Sequence, residues 1–524
     1  MLDAWFVPLR QSNGCGKKRE DITKILSYIF VIFGGVLLYE VIRAVVKEQI
    51  VLRVSRSALH YINENRIKLD RFKFMSKFIV KKDLMNDMDI HKAMLEHAKE
   101  KGIRIDAAEK LVEDYIEEIV PFFNLLSYYK FGWWVANTLL NFLYEVVIDH
   151  ENAEKLKKIP EHNAVVFVMN HRSNVDYVLV AYMLSKNVSI SYAVGEWARV
   201  WPLEYIFKSF GSYFLRRRYR ENLYHTVLEK YIQLISIQGV TQGIFIEGGL
   251  TRDGRFRDTK VGVIDYIMKI KKNPEFRGDV IFVPVGINYD WVLEDRTLID
   301  EWKRGKEKSG LKGNVVSFSR IVVKIPYLFI GNTLRWMTGR LKHHGYASVS
   351  FGQPISASEF INQKEKNFFT RERYDRLGVI KQFADWLLYN IGEVIPVTPV
   401  CLIALALELL QKELLTYDEL VHKVALLKAK MKNDGRRIVI GKAFQSTTEG
   451  FRKLENEEFH RKKELVSFEK ELLDIDEAKT MTDVACDLLQ RRRIVNMKNG
   501  IIKINKSKKS LIQYYANSLI HLVQ

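Results

Sequence analysis

The chain has 524 residues, of which 47% are hydrophobic and 28% charged, a composition typical of globular domains and not of a disordered protein. Its formal net charge of +19 suits an anionic partner: nucleic acid, an anionic membrane surface or a small anionic substrate. The three cysteines, Cys15, Cys401 and Cys486, lie far apart without a C-x-x-C pair. This argues against a disulfide framework or a structural zinc site and fits a reducing compartment.

An apolar segment from Ile25 to Tyr39 predicts a membrane-associated helix near the N-terminus. As a helix it reaches only about 22 Å, less than the hydrocarbon core of a bilayer at ~30 Å. Extension to Val46 would include two charged residues, and no small-residue cleavage pattern follows. We therefore expect a retained helix, tilted or lying in the interface, with Lys17 to Arg19 on the cytoplasmic side. A buried core helix is the alternative.

Residues from about 50 to 150 are predicted to be helical. The segment from Ile119 to Ile148 is rich in Phe, Tyr and Trp. Such a helix suits the level of the lipid headgroups, but aromatic helices are also ordinary core elements.

The pattern changes near residue 163. Three apolar runs predict strands buried on both faces: 164–169, 243–248 and 280–287. Helical stretches lie between them, and 348–356 is predicted as the last strand. This alternation predicts the fold class α/β, a mostly parallel twisted sheet flanked by helices, with helical N-terminal and C-terminal regions.

The region after residue 363 is predicted to be helical, apart from a hairpin across Asn499-Gly500. Thr398 is placed as the N-cap and Pro399 as the first residue of a strongly apolar helix. The predicted domains are 1–48 (membrane-associated helix), 49–150 (helical region), 151–362 (α/β catalytic domain) and 363–524 (helical domain with a hairpin near 493–504).

The stretch "NHRSNVD", Asn170 to Asp176, places His171 and Asp176 five positions apart just after a predicted strand. On its own, one His-x-x-x-x-Asp is what chance gives in a chain of this size. The position of this stretch just after a strand favours a functional site, because ligands of open α/β sheets bind beyond the carboxyl ends of strands. His171, Glu247 and Pro284 each lie at or just after a predicted strand end.

Four blocks in this order resemble the membrane-associated glycerolipid acyltransferases, particularly the bacterial glycerol-3-phosphate 1-O-acyltransferases. The blocks are "NHRSNVD" from Asn170, "GSYFLRR" from Gly211, "EGGLTR" from Glu247 and "VPVGINY" from Val283. The likeness extends over roughly 120–410 and the last fifteen residues. It implies acyl transfer from a thioester to an alcohol, with glycerol 3-phosphate as acceptor and lysophosphatidic acid as product.

For such a reaction His171 suits the role of general base, with Asp176 fixing its tautomer and stabilising the imidazolium. The acceptor hydroxyl is then the nucleophile, so no protein nucleophile is required. The alternative for Asp176 is the stabilisation of a helix N-terminus. The residues implied in substrate binding are Phe214, Arg216, Arg217, Glu247, Gly248, Gly249, Arg252, Lys260 and Pro284.

Arg216 and Arg217 offer fork-shaped donors for a phosphate, whereas Arg218 and Arg220 are interpreted as solvated or lipid-facing charges. Glu247 is placed to bind acceptor hydroxyls, and Pro284 to shape the site wall or the acyl pocket. The family usually has Arg, which often helps to hold the substrate phosphate, where this chain has Leu250. The phosphate contacts must then come from other cations, or the acceptor differs.

The expected co-substrate is acyl-CoA or acyl carrier protein, with no cofactor and no metal. The expected partners are glycerol 3-phosphate and an anionic phospholipid membrane, with the catalytic domain on the cytoplasmic face of what would be a bacterial inner membrane. Lysophosphatidic acid or dihydroxyacetone phosphate are alternative acceptors. From another class, the C-terminal helices, the hairpin and "QRRR" suggest a nucleic-acid-binding protein, although no nucleic acid is expected.

Overall fold

The structure is a computed structural model. It describes residues 77–122, 133–149, 156, 158–160, 162–184, 190–195, 199, 203–216, 219, 221–304, 343–364, 373–440, 443–444 and 463–523. The predicted N-terminal helix at 25–46 lies outside these ranges. None of the helices within them combines the length and the apolar character that a bilayer crossing requires.

The described helices are α1 (Lys77–Met85), α2 (Met88–Lys101), α3 (Ile105–Ile119), α4 (Trp133–Leu143), α5 (Asp176–Leu184), α6 (Leu203–Ser209), α7 (Asn222–Ile237), α8 (Gly262–Met268), α9 (Asp295–Lys303), α10 (Ala357–Lys364), α11 (Arg373–Glu393), α12 (Pro399–Leu410), α13 (Tyr417–Asn433), α14 (Lys463–Arg491) and α15 (Lys509–Ala516). The described strands are β1 (Glu145–Ile148), β2 (Ala164–Met169), β3 (Ser191–Gly195), β4 (Tyr213–Leu215), β5 (Gln242–Phe245), β6 (Val280–Tyr289), β7 (Tyr346–Phe351), β8 (Ile355–Ser356), β9 (Leu414–Thr416), β10 (Val439–Ile440), β11 (Ala443–Phe444), β12 (Val495–Lys498) and β13 (Ile501–Ile504).

The main sheet has the strand order β1-β7-β6-β2-β5-β3-β4, with β8 paired to β6. β2 runs parallel to both β5 and β6. The pairings of β6 with β7 and β8 are antiparallel. This confirms the predicted α/β class with a mostly parallel sheet.

Both faces of the central strands are covered, as the unbroken apolar run of β2 predicts. On one face, Phe167 and Met169 belong to a core that also takes in α5, α12, α13 and α15. On the other, Val166 and Val168 pack in a core built with α2, α3, α7, α8 and α11. The sheet is therefore the middle of three layers.

The C-terminal region is part of the first of these cores. Thr398 is the N-cap of α12 and Pro399 is its first residue, as predicted. Arg492, from the "QRRR" stretch, is only 5% exposed. Its Nη2 lies 2.5 Å from Asp295 Oδ2. This arginine is bound within the protein and is not displayed for nucleic acid.

Three expectations about the strands are wrong in detail. The end of the segment read as helix, Glu145–Ile148, is strand β1, because it pairs in parallel with β7. The predicted strand 348–356 is two strands, β7 and β8, which both pair with β6. The hairpin across Asn499-Gly500 is confirmed, but the C-terminal region holds further strands, since β9 joins it as a third strand.

Candidate active site

The loops that follow the central strands meet at one edge of the sheet. His171 follows β2, Glu247 follows β5, and Tyr289 is the last residue of β6. Because these three strands run in parallel, their carboxyl ends lie together. The residues needed for a site are thus gathered from positions more than a hundred apart in sequence.

His171 and Asp176 form a direct pair. His171 Nδ1 lies 2.9 Å from Asp176 Oδ2, and both side chains are buried. With Nδ1 protonated and donating to the carboxylate, the tautomer leaves the lone pair on Nε2. This is the geometry that the spacing of the two residues predicts.

The same carboxylate shapes the loop between the two residues. Asp176 is the first residue of α5, and its Oδ2 accepts the backbone N–H groups of Arg172 at 2.7 Å and Ser173 at 3.0 Å. These bonds turn the chain back on itself, as a residue at a helix N-terminus does. Asp176 therefore bonds the histidine and stabilises the start of its own helix.

A third group completes the pair. The hydroxyl of Tyr289 donates to Asp176 Oδ1 at 2.7 Å. Burial raises the pKa of Tyr289 well above its ordinary value, so the hydroxyl stays a donor. Both oxygens of the buried carboxylate are thereby hydrogen-bonded, which fixes its orientation.

Two aromatic rings hold the imidazole in place. Phe245, the last residue of β5, is stacked on His171 with ring centroids 4.0 Å apart. Tyr177 meets the imidazole edge-on at 5.4 Å. With its Nδ1 bonded and its faces packed, the ring has one orientation.

Glu247 is bonded to the backbone of two loops. Its Oε1 accepts the N–H of His171 at 3.0 Å and its Oε2 accepts the N–H of Arg257 at 2.7 Å. Burial raises the pKa of Glu247 to about 7. Each carboxylate oxygen thus positions the protein itself, and contact with acceptor hydroxyls stays a prediction.

Glu294 is a site residue that the motif does not reveal. Its Oε2 accepts from the Ser173 hydroxyl at 3.0 Å and its Oε1 from the Asn174 N–H at 2.6 Å. Burial raises its pKa to about 7. The loop that carries His171 is therefore held by carboxylates from three separate segments.

The second block is placed differently from the expectation. Arg216 Nε donates to Glu118 Oε1 at 2.7 Å, and Nη2 bonds the other carboxylate oxygen. Its fork is occupied, so a phosphate there would have to displace Glu118. Phe214 is 1% exposed and belongs to the core. Arg217 and its neighbour Arg218 lie outside the described residues.

The third block forms a tight turn. Gly248 has φ +64°, and a Cβ there would lie 2.7 Å from Cγ of Lys260, so the lysine stem covers this turn. Arg252 Nε lies 3.2 Å from Glu301 Oε2. Gly249 is buried in the same turn, and Leu250 packs against the core.

Pro284 lies inside a strand, and its predicted place at a strand end is wrong. It pairs with Val168 in the middle of β6. On the other side of β6, β8 pairs with residues 281 and 282 and β7 with residues 285–289. Pro284 falls between the two pairings, where a missing N–H costs no ladder bond, and its carbonyl accepts from Gly352 at 2.8 Å.

A small cavity adjoins the catalytic loop. Arg172 and Glu247 line it from the loops after β2 and β5, and Ser518 lines it from the C-terminal segment, residues 514–521. The Asn517 side chain of this segment donates to the Asp253 carbonyl at 2.8 Å. The C-terminal segment thus closes one side of the site, a role that its likeness to the family at the last fifteen residues did not by itself reveal.

Taken together, the arrangement can accept a proton at one imidazole nitrogen and stabilise the resulting charge. Among the described residues, no group of three or more His, Cys, Asp or Glu side chains is placed to share a metal ion.

Comparison with known proteins gives two family matches. Residues 148–288 match the family described as Acyltransferase. Residues 330–524 match the family described as Glycerol-3-phosphate acyltransferase C-terminal region. The first match contains His171, Asp176 and Glu247, and the second contains the segment that closes the cavity.

Relatives in several bacteria are similar over much of the chain. The Glycerol-3-phosphate acyltransferase of Aeromonas hydrophila subsp. hydrophila is 25% identical over 91% of this chain and 53% of its own length. That of Haemophilus influenzae (strain PittEE) is 26% identical over 74% of this chain and 46% of its own. The chain thus spans about half the length of these relatives.

One solved structure is also similar. The 1-acyl-sn-glycerophosphate (LPA) acyltransferase of Thermotoga maritima matches 50% of this chain and 80% of its own, with 17% identity and a TM-score of 0.27.

Proposed function

We propose that this chain, which belongs to the glycerol-3-phosphate acyltransferase family, acylates the 1-hydroxyl of glycerol 3-phosphate. The donor is a fatty acyl thioester, acyl-CoA or acyl carrier protein, and the product is lysophosphatidic acid, formed in the first step of phospholipid synthesis. The observation that carries the proposal is the His171–Asp176 pair at 2.9 Å beyond the carboxyl end of β2.

The chemistry is direct transfer. His171 Nε2 takes the proton of the acceptor hydroxyl as its oxygen attacks the thioester carbonyl, an effect worth about 10²–10⁴-fold. The tetrahedral intermediate then collapses, the C–S bond breaks, and the imidazolium returns the proton to the departing thiolate. Asp176, held by Tyr289, stabilises the imidazolium in between.

The proposed setting is the surface of an anionic membrane, which supplies or receives the acyl chain. The net charge of +19 favours both an anionic bilayer and phosphate-bearing substrates. An acyl chain worth about 0.8 kcal/mol per buried CH₂ requires an apolar groove that opens towards lipid. The predicted helix at 25–46 would serve as the anchor.

The choice of acceptor depends on Leu250, which stands where the family usually has Arg. The purified chain in detergent is given labelled acyl-CoA, and in parallel labelled acyl carrier protein, each with glycerol 3-phosphate, dihydroxyacetone phosphate or lysophosphatidic acid. We expect the highest kcat/KM with glycerol 3-phosphate. A preference for either other acceptor would replace the substrate assignment, and no turnover with any of them would overturn the proposed function.

A further inference from the structure

Arg172 is a buried cation without a full set of partners. Its side chain is 2% exposed. Nη1 donates to the Gly254 carbonyl at 3.1 Å, whereas Nε and Nη2 have no hydrogen-bond partner. Buried guanidinium N–H groups without acceptors are costly, and a native structure usually explains them by a ligand or water. These two nitrogens therefore indicate that a molecule with hydrogen-bond-accepting atoms binds here.

A small cavity with a largely polar lining lies beside Arg172. The residue lines the small cavity together with polar groups of its own loop and of two other segments, namely Asn170, Glu247, Thr251, Arg255 and Ser518. The Tyr514 ring lies on one side of the guanidinium, with Cζ 5.1 Å from the ring centroid. That contact fixes the plane of the fork and leaves its polar edge for a ligand.

The other arginines of the four sequence blocks already have carboxylate partners where the structure describes them. Arg216 is bonded to Glu118 and Arg252 to Glu301. Leu250 offers no charge. Arg172 adjoins His171 in sequence and has donors to spare, which makes it the best-placed described arginine of these blocks for an anion near the base.

A negative charge on the neighbouring Glu247 would repel an anion in this cavity. Glu247 lines the same cavity, but its two oxygens accept backbone N–H groups of His171 and Arg257. Burial raises its pKa to about 7, so near neutral pH much of this carboxyl is uncharged. Arg172 and the exposed Arg255 then leave the cavity positive.

We infer that Arg172 binds the phosphate group of the acceptor in the cavity between the catalytic loop and the C-terminal segment. The inference rests on the proposed function for the identity of the acceptor. Glycerol 3-phosphate is a three-carbon molecule, so an acceptor whose phosphate is bound by Arg172 stays at the loop that also carries His171. The C-terminal segment contributes Ser518 to the lining of the phosphate site, and its Tyr514 packs on the guanidinium of Arg172.

The test measures binding of glycerol 3-phosphate, inorganic phosphate, glycerol, CoA and dephospho-CoA to the full chain by calorimetry. Variants R172M and R172K are compared with R104Q, in which an exposed arginine bonded to Asp106 is changed. We expect R172M to weaken binding of glycerol 3-phosphate and phosphate at least tenfold, with R172K intermediate. Glycerol binding should be undetectable in all variants, and CoA and dephospho-CoA should bind equally.

Unchanged binding of glycerol 3-phosphate by folded R172M would overturn the inference. So would a loss confined to CoA relative to dephospho-CoA, which would identify the 3′-phosphate of CoA as the ligand. If R172M does not fold, hydrogen exchange on the wild type decides. Glycerol 3-phosphate, but not glycerol, should protect residues 251–257 and 514–519, and protection elsewhere alone would contradict the inference.

Failure of this inference is distinguishable from failure of the proposed function. Acylation of glycerol 3-phosphate with an unchanged KM in R172M would refute the phosphate site and leave the enzyme assignment intact. Phosphate binding through Arg172 without any acyl transfer would support the phosphate site and refute the proposed acyltransferase activity.

Discussion

The Tyr289 hydroxyl donates to Asp176 Oδ1 at 2.7 Å, across 113 positions of sequence. The other oxygen of the same carboxylate bonds His171 Nδ1. The end of β6 thereby sets the orientation of a pair that the loop after β2 carries.

Replacing Tyr289 with Phe should lower kcat about tenfold and the free energy of unfolding by about 1–3 kcal/mol, because a buried carboxylate oxygen loses its donor. Steady-state kinetics and urea unfolding measure the two effects. Y389F, at a tyrosine that is 63% exposed, is the control and should change neither. A Y289F enzyme with wild-type kcat would show that this hydrogen bond does not position Asp176.

Glu247→Gln should lower kcat and leave KM nearly unchanged. The amide nitrogen of Gln would face either the His171 or the Arg257 N–H, where the carboxylate now accepts at 3.0 Å and 2.7 Å. The catalytic loop then shifts, and we expect kcat to fall at least tenfold with KM for glycerol 3-phosphate within about twofold. A rise in KM with kcat unchanged would instead support the predicted contact with acceptor hydroxyls.

Glu294→Gln should flatten the dependence of stability on pH. Burial raises the pKa of Glu294 from 4.5 to about 7, so between these values the folded protein binds more protons than the unfolded chain. Its stability therefore falls as pH rises through that window. Gln keeps the contacts, since its oxygen accepts from Asn174 and its NH₂ donates to Ser173.

Thermal unfolding between pH 4.5 and 8 measures this effect. E294Q should lose less stability than the wild type on going to pH 8. E109Q, at an exposed glutamate of α3, should reproduce the wild-type profile. Superimposable profiles for E294Q and wild type would contradict the assignment.

Gly254→Ala should loosen the C-terminal segment. Gly254 has φ +88°, and an added Cβ would lie 1.9 Å from the Tyr514 carbonyl oxygen. The left-handed conformation costs about 1–2 kcal/mol, and the overlap adds about 1–3 kcal/mol. G435A is the control: at φ +72° with open space around it, the substitution has only the cost of the left-handed conformation.

Urea unfolding and hydrogen exchange of residues 509–523 measure the difference. The greater destabilisation of G254A and faster exchange of its C-terminal segment are the expected result. Equal effects of the two substitutions would show that the packing of Tyr514 on Gly254 is unimportant.

The local parts of the site were predictable from sequence. His171 and Asp176 lie within one loop, so their spacing and the buried strand before them suffice to predict a pair. The strands β2 and β6 were equally clear, because a strand buried on both faces reads as an unbroken apolar run.

The long-range parts were not predictable. Glu294 meets Ser173 across 121 positions, and Glu118 meets Arg216 across 98. A single sequence holds no signal for such partners, so Arg216 was expected to be available for phosphate. Short strands such as β4, Tyr213–Leu215, were missed because three residues show no periodicity.

The most direct measurement is the rate of acylation of glycerol 3-phosphate by the wild type, H171A and D176N, with acyl-CoA binding and unfolding followed in parallel. We expect turnover by the wild type, a loss of at least about a thousandfold in kcat for H171A, and unchanged acyl-CoA binding. Turnover by H171A at the wild-type rate would contradict the assignment of His171 as the base.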